Sequence, residues 1–555
     1  MLNQSELKVE KNFARSLATA LGIQPDEGLP IMLLFAQCFF MGVMLISFYT
    51  AANALFLLEF SAKEIPMVYI VSAGVITLAG WTFSKLEKRL SFHILLVGTY
   101  VFLLISILAL RFGLWLWSAP WLVFVVMVWL RLLWIVGNLV IWTLAGRLFN
   151  VRQGKRLFTL IGAGAVLGTI SGGLFMPLLI PSLGTPNLLF VTAVGQVAAL
   201  LFLLLTFRQF HDQLANPPSL TESKSESEGL SSLPKTRYIF LIFFYTFLSI
   251  LATYLIDYVF ISEAEGRYTD VNVLARFFSN YLTINTFVLL LISLASGRIL
   301  SRYGVQAGLL LNPVIVMISA LAIIVTSILF GPISAMFWLI VTTKLLDDVL
   351  GVAMTNTSLR ILYQPLPSRQ QVPIQVAVES IVNPLSVGFV GVILLLFNAF
   401  GNLSTISAVY LLLLLLAALM VAGIFLNREY AVALKQALTK RHLGDGSRML
   451  IRTDRSSINL LKQGLTSRHV GGVIYSLDML EKNEPELLPT LLPDLLNHHA
   501  VEVRVDVLRR IERFRLTSTL PAIKESIQDQ EARRAEGSSL LQGASLRALA
   551  ALSDP

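Results

Sequence analysis

The sequence predicts an all-α polytopic membrane protein: about twelve transmembrane helices in two six-helix halves, then a soluble α-helical region. Three observations carry this. Of the 555 residues, 55% are hydrophobic and only 14% charged. The apolar residues fall in runs that reach or exceed the ~20 residues a helix needs to cross ~30 Å of hydrocarbon. Beyond Asn427 those runs stop, and the chain turns charged with apolar residues at helical spacing.

Residues 1–28 form a polar N-terminal segment carrying Glu6, Lys8, Glu10, Lys11 and Arg15. Val9, Phe13 and Leu17 recur at helical spacing within it, which suits either a helix on the membrane surface or a short soluble one. The first apolar run begins near Leu29. It is longer than the apolar core of a secretory signal and lacks a clear small-residue cleavage site, so it reads as a retained helix. Six spans are expected in residues 29–207, near 29–58, 64–84, 92–111, 118–146, 157–181 and 187–207. Residues 208–237, "RQFHDQLANPPSLTESKSESEGLSSLPKTR", are polar and rich in Ser and Pro, the composition of a linker. Six more spans are expected in residues 238–427, near 238–262, 277–297, 305–330, 332–356, 371–399 and 403–426. The single cysteine, Cys38, falls in the first span, so no intrachain disulfide can form.

Charge in the short connections sets the orientation. Lys85, Lys88 and Arg89 follow span two, and Arg147, Arg152, Lys155 and Arg156 follow span four. Arg298 and Arg302 follow span eight, and Arg360 and Arg369 follow span ten. The opposite connections hold Lys63, Arg111, Arg267 and Arg276, partly offset by Glu263, Glu265 and Asp270. Basic residues favour the cytoplasmic side. The N-terminus, linker and C-terminal region are therefore expected in the cytoplasm, with the spans in a plasma (inner) membrane. The same bias accounts for the formal charge of +9 without a nucleic-acid partner.

Six spans, a cytoplasmic linker and six more is the plan of the major facilitator superfamily. Two connections resemble that superfamily's loop signature: Gly, three residues, Asp, a basic residue, any residue, Gly, then two basic residues. In "GWTFSKLEKR", Gly80, Lys85, Lys88 and Arg89 match, while Ser84 stands for the Asp and Glu87 for the second Gly. In "GRILSRYG", Gly297, Arg302 and Gly304 match, with Ser301 again replacing the Asp. Residues 428–555 resemble HEAT-type repeats, in which paired helices stack on their neighbours. Leu477 aligns with Leu508 and Leu480 with Ile511, an offset of 31, and Pro489 and Pro521 sit similarly in the second helices. "SLLQGASLRALAAL" reads as a further first helix. Such a region suits a cytoplasmic protein partner.

Two intramembrane cations stand out. Arg131 lies in "FVVMVWLRLLWIVGN" with no Asp or Glu between Pro120 and Asn150. Eleven residues past Pro120, it is ~16 Å into the span at helical rise. Lys344 lies twelve residues past Pro332 in span ten, the equivalent member of the other half. Buried charge in a bilayer is costly and faces a partner or a cavity. One reading is an ion pair holding the bundle together, with Asp347 and Asp348 within helical reach of Lys344, and with Asp347, Asp348 or Glu379 offered to Arg131. The other is an anionic substrate held between the guanidinium fork and the ammonium. Asp347, Asp348 and Glu379 are the candidates for coupling or gating, Glu379 near the cytoplasmic mouth. Asp257 is expected near the outer surface without a role in the site.

Several classes are set aside. "GAGAVLGTISGG" has Leu167 where a dinucleotide fingerprint needs glycine, and its small residues four apart suit close helix packing. No G-x-x-x-x-G-K-[ST] motif is present, and His498 and His499 lack the spacing of a metal site. No catalytic constellation, cofactor site or metal site is read, and no enzyme activity is expected.

"GKRLFTLIGAGAVLGTISGG" is similar to the start of the fifth span in the ATP/ADP translocase family of nucleotide transporters, through Lys155, Arg156, Phe158, Gly162 and Gly164. "SLRILYQPLPSRQQVPIQVAVESIVNPLSVGFVG" resembles that family's loop between spans ten and eleven, through Tyr363, Pro365 and Leu366. The acidic and lysine-containing stretch expected before that tyrosine is replaced by Ser358 to Leu362. The resemblance implies kinship and a nucleotide or other phosphorylated substrate. Three functions follow: a secondary carrier of an organic anion working by alternating access, a non-transporting sensor or scaffold acting through its helical tail, or a handler of lipid head groups.

Overall fold

The computed structural model describes residues 27–211 apart from 118 and 150, residue 214, and residues 236–441 apart from 332–333 and 401–403. Toward the C-terminus it describes 461–466, 470–483, 485–514, 516, 519–521, 523 and 538–553. Nearly all of the N-terminal segment and of the polar linker lies outside the described residues. Two compact units are drawn from residues 1–296, 309–360 and 369–425, and from residues 297–308, 361–368 and 426–555.

The described residues are helical throughout, without strands. The first half comprises α1 (Gly28–Glu59), α2 (Ile65–Glu87), α3 (Phe92–Leu116), α4 (Pro120–Leu148), α5 (Val151–Leu183) and α6 (Leu188–Gln209). The second opens with α7 (Arg237–Arg267) and α8 (Val271–Phe330). It continues with α9 (Ser334–Leu350), α10 (Asn356–Leu362), α11 (Ser368–Ala377), α12 (Asn383–Phe400) and α13 (Thr405–Arg441). Local chemistry sets the starts. Pro120 opens α4, where a missing N–H costs nothing. Thr236 caps α7 by accepting from the Ile239 N–H, and Asp270 caps α8 by accepting from those of Asn272 and Val273.

Ten helices among the described residues are long and apolar enough to cross a membrane. The expected twelve differ in two places. Helix α8 runs 60 residues, ~90 Å at helical rise, three times the hydrocarbon thickness. Gly304 breaks it at φ 79°, in the left-handed region that glycine enters freely. Helix α9 has only 17 residues and passes through a π-helical turn, Gly351–Thr355, into α10. A second π-turn, Val378–Val382, joins α11 to α12.

Within the first unit, α1 is the central strut of its half, packing on α4, α5 and α6. Backbones approach closely along α1 and α5: a Cβ on Gly168 would fall 1.9 Å from the Phe39 carbonyl oxygen, and one on Gly164 would fall 3.2 Å from the Cβ of buried Cys38. The two halves meet where α2 packs on α12 and where Gly173 of α5 abuts Thr283 of α8. Polar contacts also join them at the end of the bundle away from Lys85 and Arg147. The Ala62 N–H donates to Glu265 at 2.9 Å, Thr185 Oγ1 lies 2.9 Å from Asn272 Oδ1, and Asn398 donates to the Lys63 carbonyl at 3.4 Å.

The second unit contains α14 (Val470–Asn483), α15 (Leu488–Leu495), α16 (Val501–Phe514) and α17 (Ser538–Ser553). Leu477, Leu480, Leu508 and Ile511, the residues aligned across the sequence offset, are buried in one apolar core. Arg510 ties α14 to α16, donating to Asp478, Glu481 and, at 2.8 Å, Asp506. Burial pushes its pKa down, and the carboxylates around it outweigh that and raise it above the ordinary arginine value. Most of the expected second helix after α16 lies outside the described residues.

Candidate functional site

The two intramembrane cations converge on one acid. Arg131, mid-way along α4, donates from Nη2 to Asp257 Oδ2 at 2.9 Å. Lys344 of α9 sets its Nζ 3.2 Å from Asp257 Oδ1 and 2.8 Å from Asp348 Oδ1. One carboxylate thus bridges a guanidinium from the first half and an ammonium from the second.

Tyrosines complete the surround. Tyr69 of α2 donates its hydroxyl to Asp257 Oδ2 at 3.0 Å. The Arg131 guanidinium lies 4.8 Å from the ring centre of Tyr254 and 5.8 Å from that of Tyr69, so π faces supplement the ion pair. Those two rings meet edge to face at 5.0 Å. Around Asp348, Tyr281 donates at 2.7 Å and Asn285 at 2.8 Å, both from α8. The arrangement is a largely buried network in which each ion has at least one charged partner and the carboxylates accept further hydrogen bonds, the condition for holding charge away from water. Lys344 is 7% exposed at its side chain and Arg131 26%, so the guanidinium keeps the more open side.

Arg131, Lys344 and Asp348 come together as a set. Asp347 is buried beside them, but the ion pair of Lys344 runs to Asp348 and Asp257. Glu379 stands apart on the second π-turn, exposed and within 3.5 Å of Gln375, and does not supply the acid for Arg131. That acid is Asp257, which corrects the expectation that it sits near the outer surface. The apolar run ends near residue 262, whereas α7 continues through Glu263 and Glu265 to Arg267, placing Asp257 ~15 Å from the helix end. Its signal was present in the sequence: it is the only charged residue between Tyr238 and Ser262. Tyr69, Tyr254, Tyr281 and Asn285 gave no comparable signal. Among the described residues, no group of three His, Cys, Asp or Glu side chains could hold a metal ion.

The described residues thus form a helical bundle in which charged groups from α4, α7 and α9 meet at Asp257. No family model matches the chain, and no curated protein sequence matches it. Among solved structures, a bacterial homologue of the iron transporter ferroportin, in an inward-facing state, superposes with a TM-score of 0.52 at 14% identity. It covers 72% of this chain and 98% of its own. A mutant of the nucleoside transporter NupG gives a TM-score of 0.51 at 14% identity, covering 73% of this chain and 99% of its own. Identity at this level shows a shared fold. The chain is an integral membrane protein built on it.

Proposed function

We propose that this protein is a secondary carrier of a small organic anion, with Arg131 and Lys344 as its binding groups. The observation that carries this is the shared Asp257 carboxylate. A substrate carboxylate or phosphate presents the same oxygens, so it can take over the place of Asp257 between cations from opposite halves. An anion held this way draws α4 and α9 toward each other, and its release lets Asp257 close the network again. That is a differential contact of the kind alternating access requires. Asp348 and Asp347 adjust the charge around Lys344, and Glu379 serves the mouth of the pathway. The resemblance to nucleotide transporters favours a nucleotide or other phosphorylated metabolite over a simple dicarboxylate. In this reading the chain crosses a plasma (inner) membrane twelve times, α8 supplying two crossings on either side of Gly304 and α9 with α10 one. Both termini face the cytoplasm, and the HEAT-like tail docks a protein partner.

A second reading rests on the same geometry: the pairing of all four ions also suits a static cluster in a membrane-anchored scaffold. Ligand-induced thermal stabilisation separates the two. The purified protein is melted with phosphorylated metabolites, nucleotides and dicarboxylates, beside Arg131→Ala and Lys344→Ala. A ligand at 100 times its Kd stabilises by ~2.7 kcal/mol. The carrier reading expects one anion class to raise Tm in the wild type and neither variant to respond. No shift with any anion, together with no uptake in proteoliposomes, would establish the scaffold.

A further inference from the structure

The last turns of α3 hold a cation that no acid answers. From Arg111 to Leu116, where α3 ends, is ~8 Å at helical rise, at the end of the bundle away from Lys85 and Arg147. Trp115 and Trp117 follow it, both exposed, and such aromatics mark the level where a bilayer passes from head groups to hydrocarbon. The half-buried guanidinium uses two of its five N–H groups on the side-chain oxygen of Asn187, from Nε at 3.0 Å and from Nη2. It lies 4.9 Å from the centre of the Phe190 ring. No ion pair reaches it among the described residues. Asn187 is itself held, donating from Nδ2 to the Leu183 carbonyl at 2.7 Å.

Asn187 and Phe190 also line a groove with Leu183, Val191 and Val194. Its volume is about 450 Å³, within the ~300–1,000 Å³ of ordinary ligand clefts. Asn187, Phe190, Val191 and Val194 share one helical face, opposite the buried Leu189, Thr192 and Gln196. Leu183, Phe190 and Val194 are exposed, and apart from Asn187 the lining is apolar. From Asn187 to Val194 the groove descends ~10 Å toward mid-membrane. A cation at head-group depth thus stands at the top of an apolar channel leading inward from it.

We infer that Arg111, Asn187 and this groove hold one anionic phospholipid, with its phosphate on the guanidinium and an acyl chain along Phe190, Val191 and Val194. The planar guanidinium has N–H groups to offer two phosphate oxygens. A cation at the edge of hydrocarbon is costly without a counter-charge, and lipid phosphate is the anion present at that depth. A head group of net negative charge, such as that of phosphatidylglycerol, is favoured over a choline one, because no acid pairs with Arg111 to receive the choline cation. Free phosphate would leave the apolar part of the groove unused. The site stands apart from the ion network at Asp257 and does not rest on the carrier reading.

The test is thermal unfolding of the full-length protein in detergent, stripped of co-purified lipid. It is titrated with phosphatidylglycerol, with phosphatidylcholine of the same acyl chains, and with inorganic phosphate. A saturable rise in Tm with phosphatidylglycerol is expected, smaller with phosphatidylcholine and absent with inorganic phosphate. Arg111→Gln lowers apparent affinity for phosphatidylglycerol about fivefold or more. Val194→Trp, at a position 67% exposed, fills the groove without displacing core residues and weakens the response to both lipids. Lys85→Gln, at the opposite end of the bundle, keeps the full rise and so separates the site from a general attraction to basic protein. Equal rises with the two lipids overturn the site. So does a full phosphatidylglycerol response in Arg111→Gln, even with a lower baseline Tm, which would leave Arg111 as a clamp between α3 and α6. A response to inorganic phosphate alone overturns the lipid as occupant. Where Arg111→Gln does not fold, Val194→Trp decides, and an unchanged lipid response there overturns the proposal.

Discussion

At the scale of single residues, the charge network depends most on Asp257. Replacing it with Asn leaves Arg131 without a carboxylate and Lys344 with Asp348 alone. Breaking a buried pair from one side costs about 3–5 kcal/mol, because the remaining charge stays desolvated. Asp257→Asn is therefore expected to lower the melting temperature well beyond Tyr69→Phe, which removes one hydrogen bond worth about 1 kcal/mol. A melt that left Asp257→Asn level with wild type would mean that water screens the network. Arg131 and Lys344 were legible in the sequence because a charge inside an apolar run is conspicuous. Asp257 is equally conspicuous in the sequence, but Glu263 and Glu265 after it have the composition of a loop while belonging to α7, which hides its depth in the helix. The tyrosines were illegible for a different reason. A tyrosine in an apolar helix does not announce which face it occupies, and only the packing of α2 and α8 turns Tyr69 and Tyr281 inward.

At the scale of elements, the contact of α1 with α5 is the most sharply defined. The Gly168 backbone lies so near the Phe39 carbonyl that a side chain there has no rotamer of escape. Gly168→Leu is expected to lose the folded, monodisperse protein on size exclusion. Gly162→Ala, whose new Cβ would meet only the far edge of Trp142 at 3.7 Å, is expected to keep it. The glycine run was readable as a packing surface, since small residues four apart have few other uses in a membrane helix. The break in α8 was half readable. Glycine at position 304 fitted the loop signature, but its left-handed φ belongs to the backbone path within α8, which no side-chain pattern specifies.

At the scale of the whole molecule, the charge bias predicts which connections share a side. Cysteines introduced singly at Ser84 and Ser301 are expected to react with a membrane-impermeant reagent from one face of sealed vesicles, and one at exposed Trp117 from the other. Labelling of Ser84→Cys and Ser301→Cys from opposite faces would remove the two-half arrangement. The bundle was legible because hydrocarbon thickness imposes a length on every crossing. Of the tail, the sequence offset picked out the buried leucines of α14 and α16, but it carried no sign of Arg510, whose partners come from two helices. One consequence reaches beyond architecture. The lone thiol, Cys38, is sealed in the seam between α1 and α5, where only transient separation of those helices can expose it. Its alkylation rate in the unaltered protein is therefore a built-in clock for how often the first half breathes, readable by mass without any engineered label.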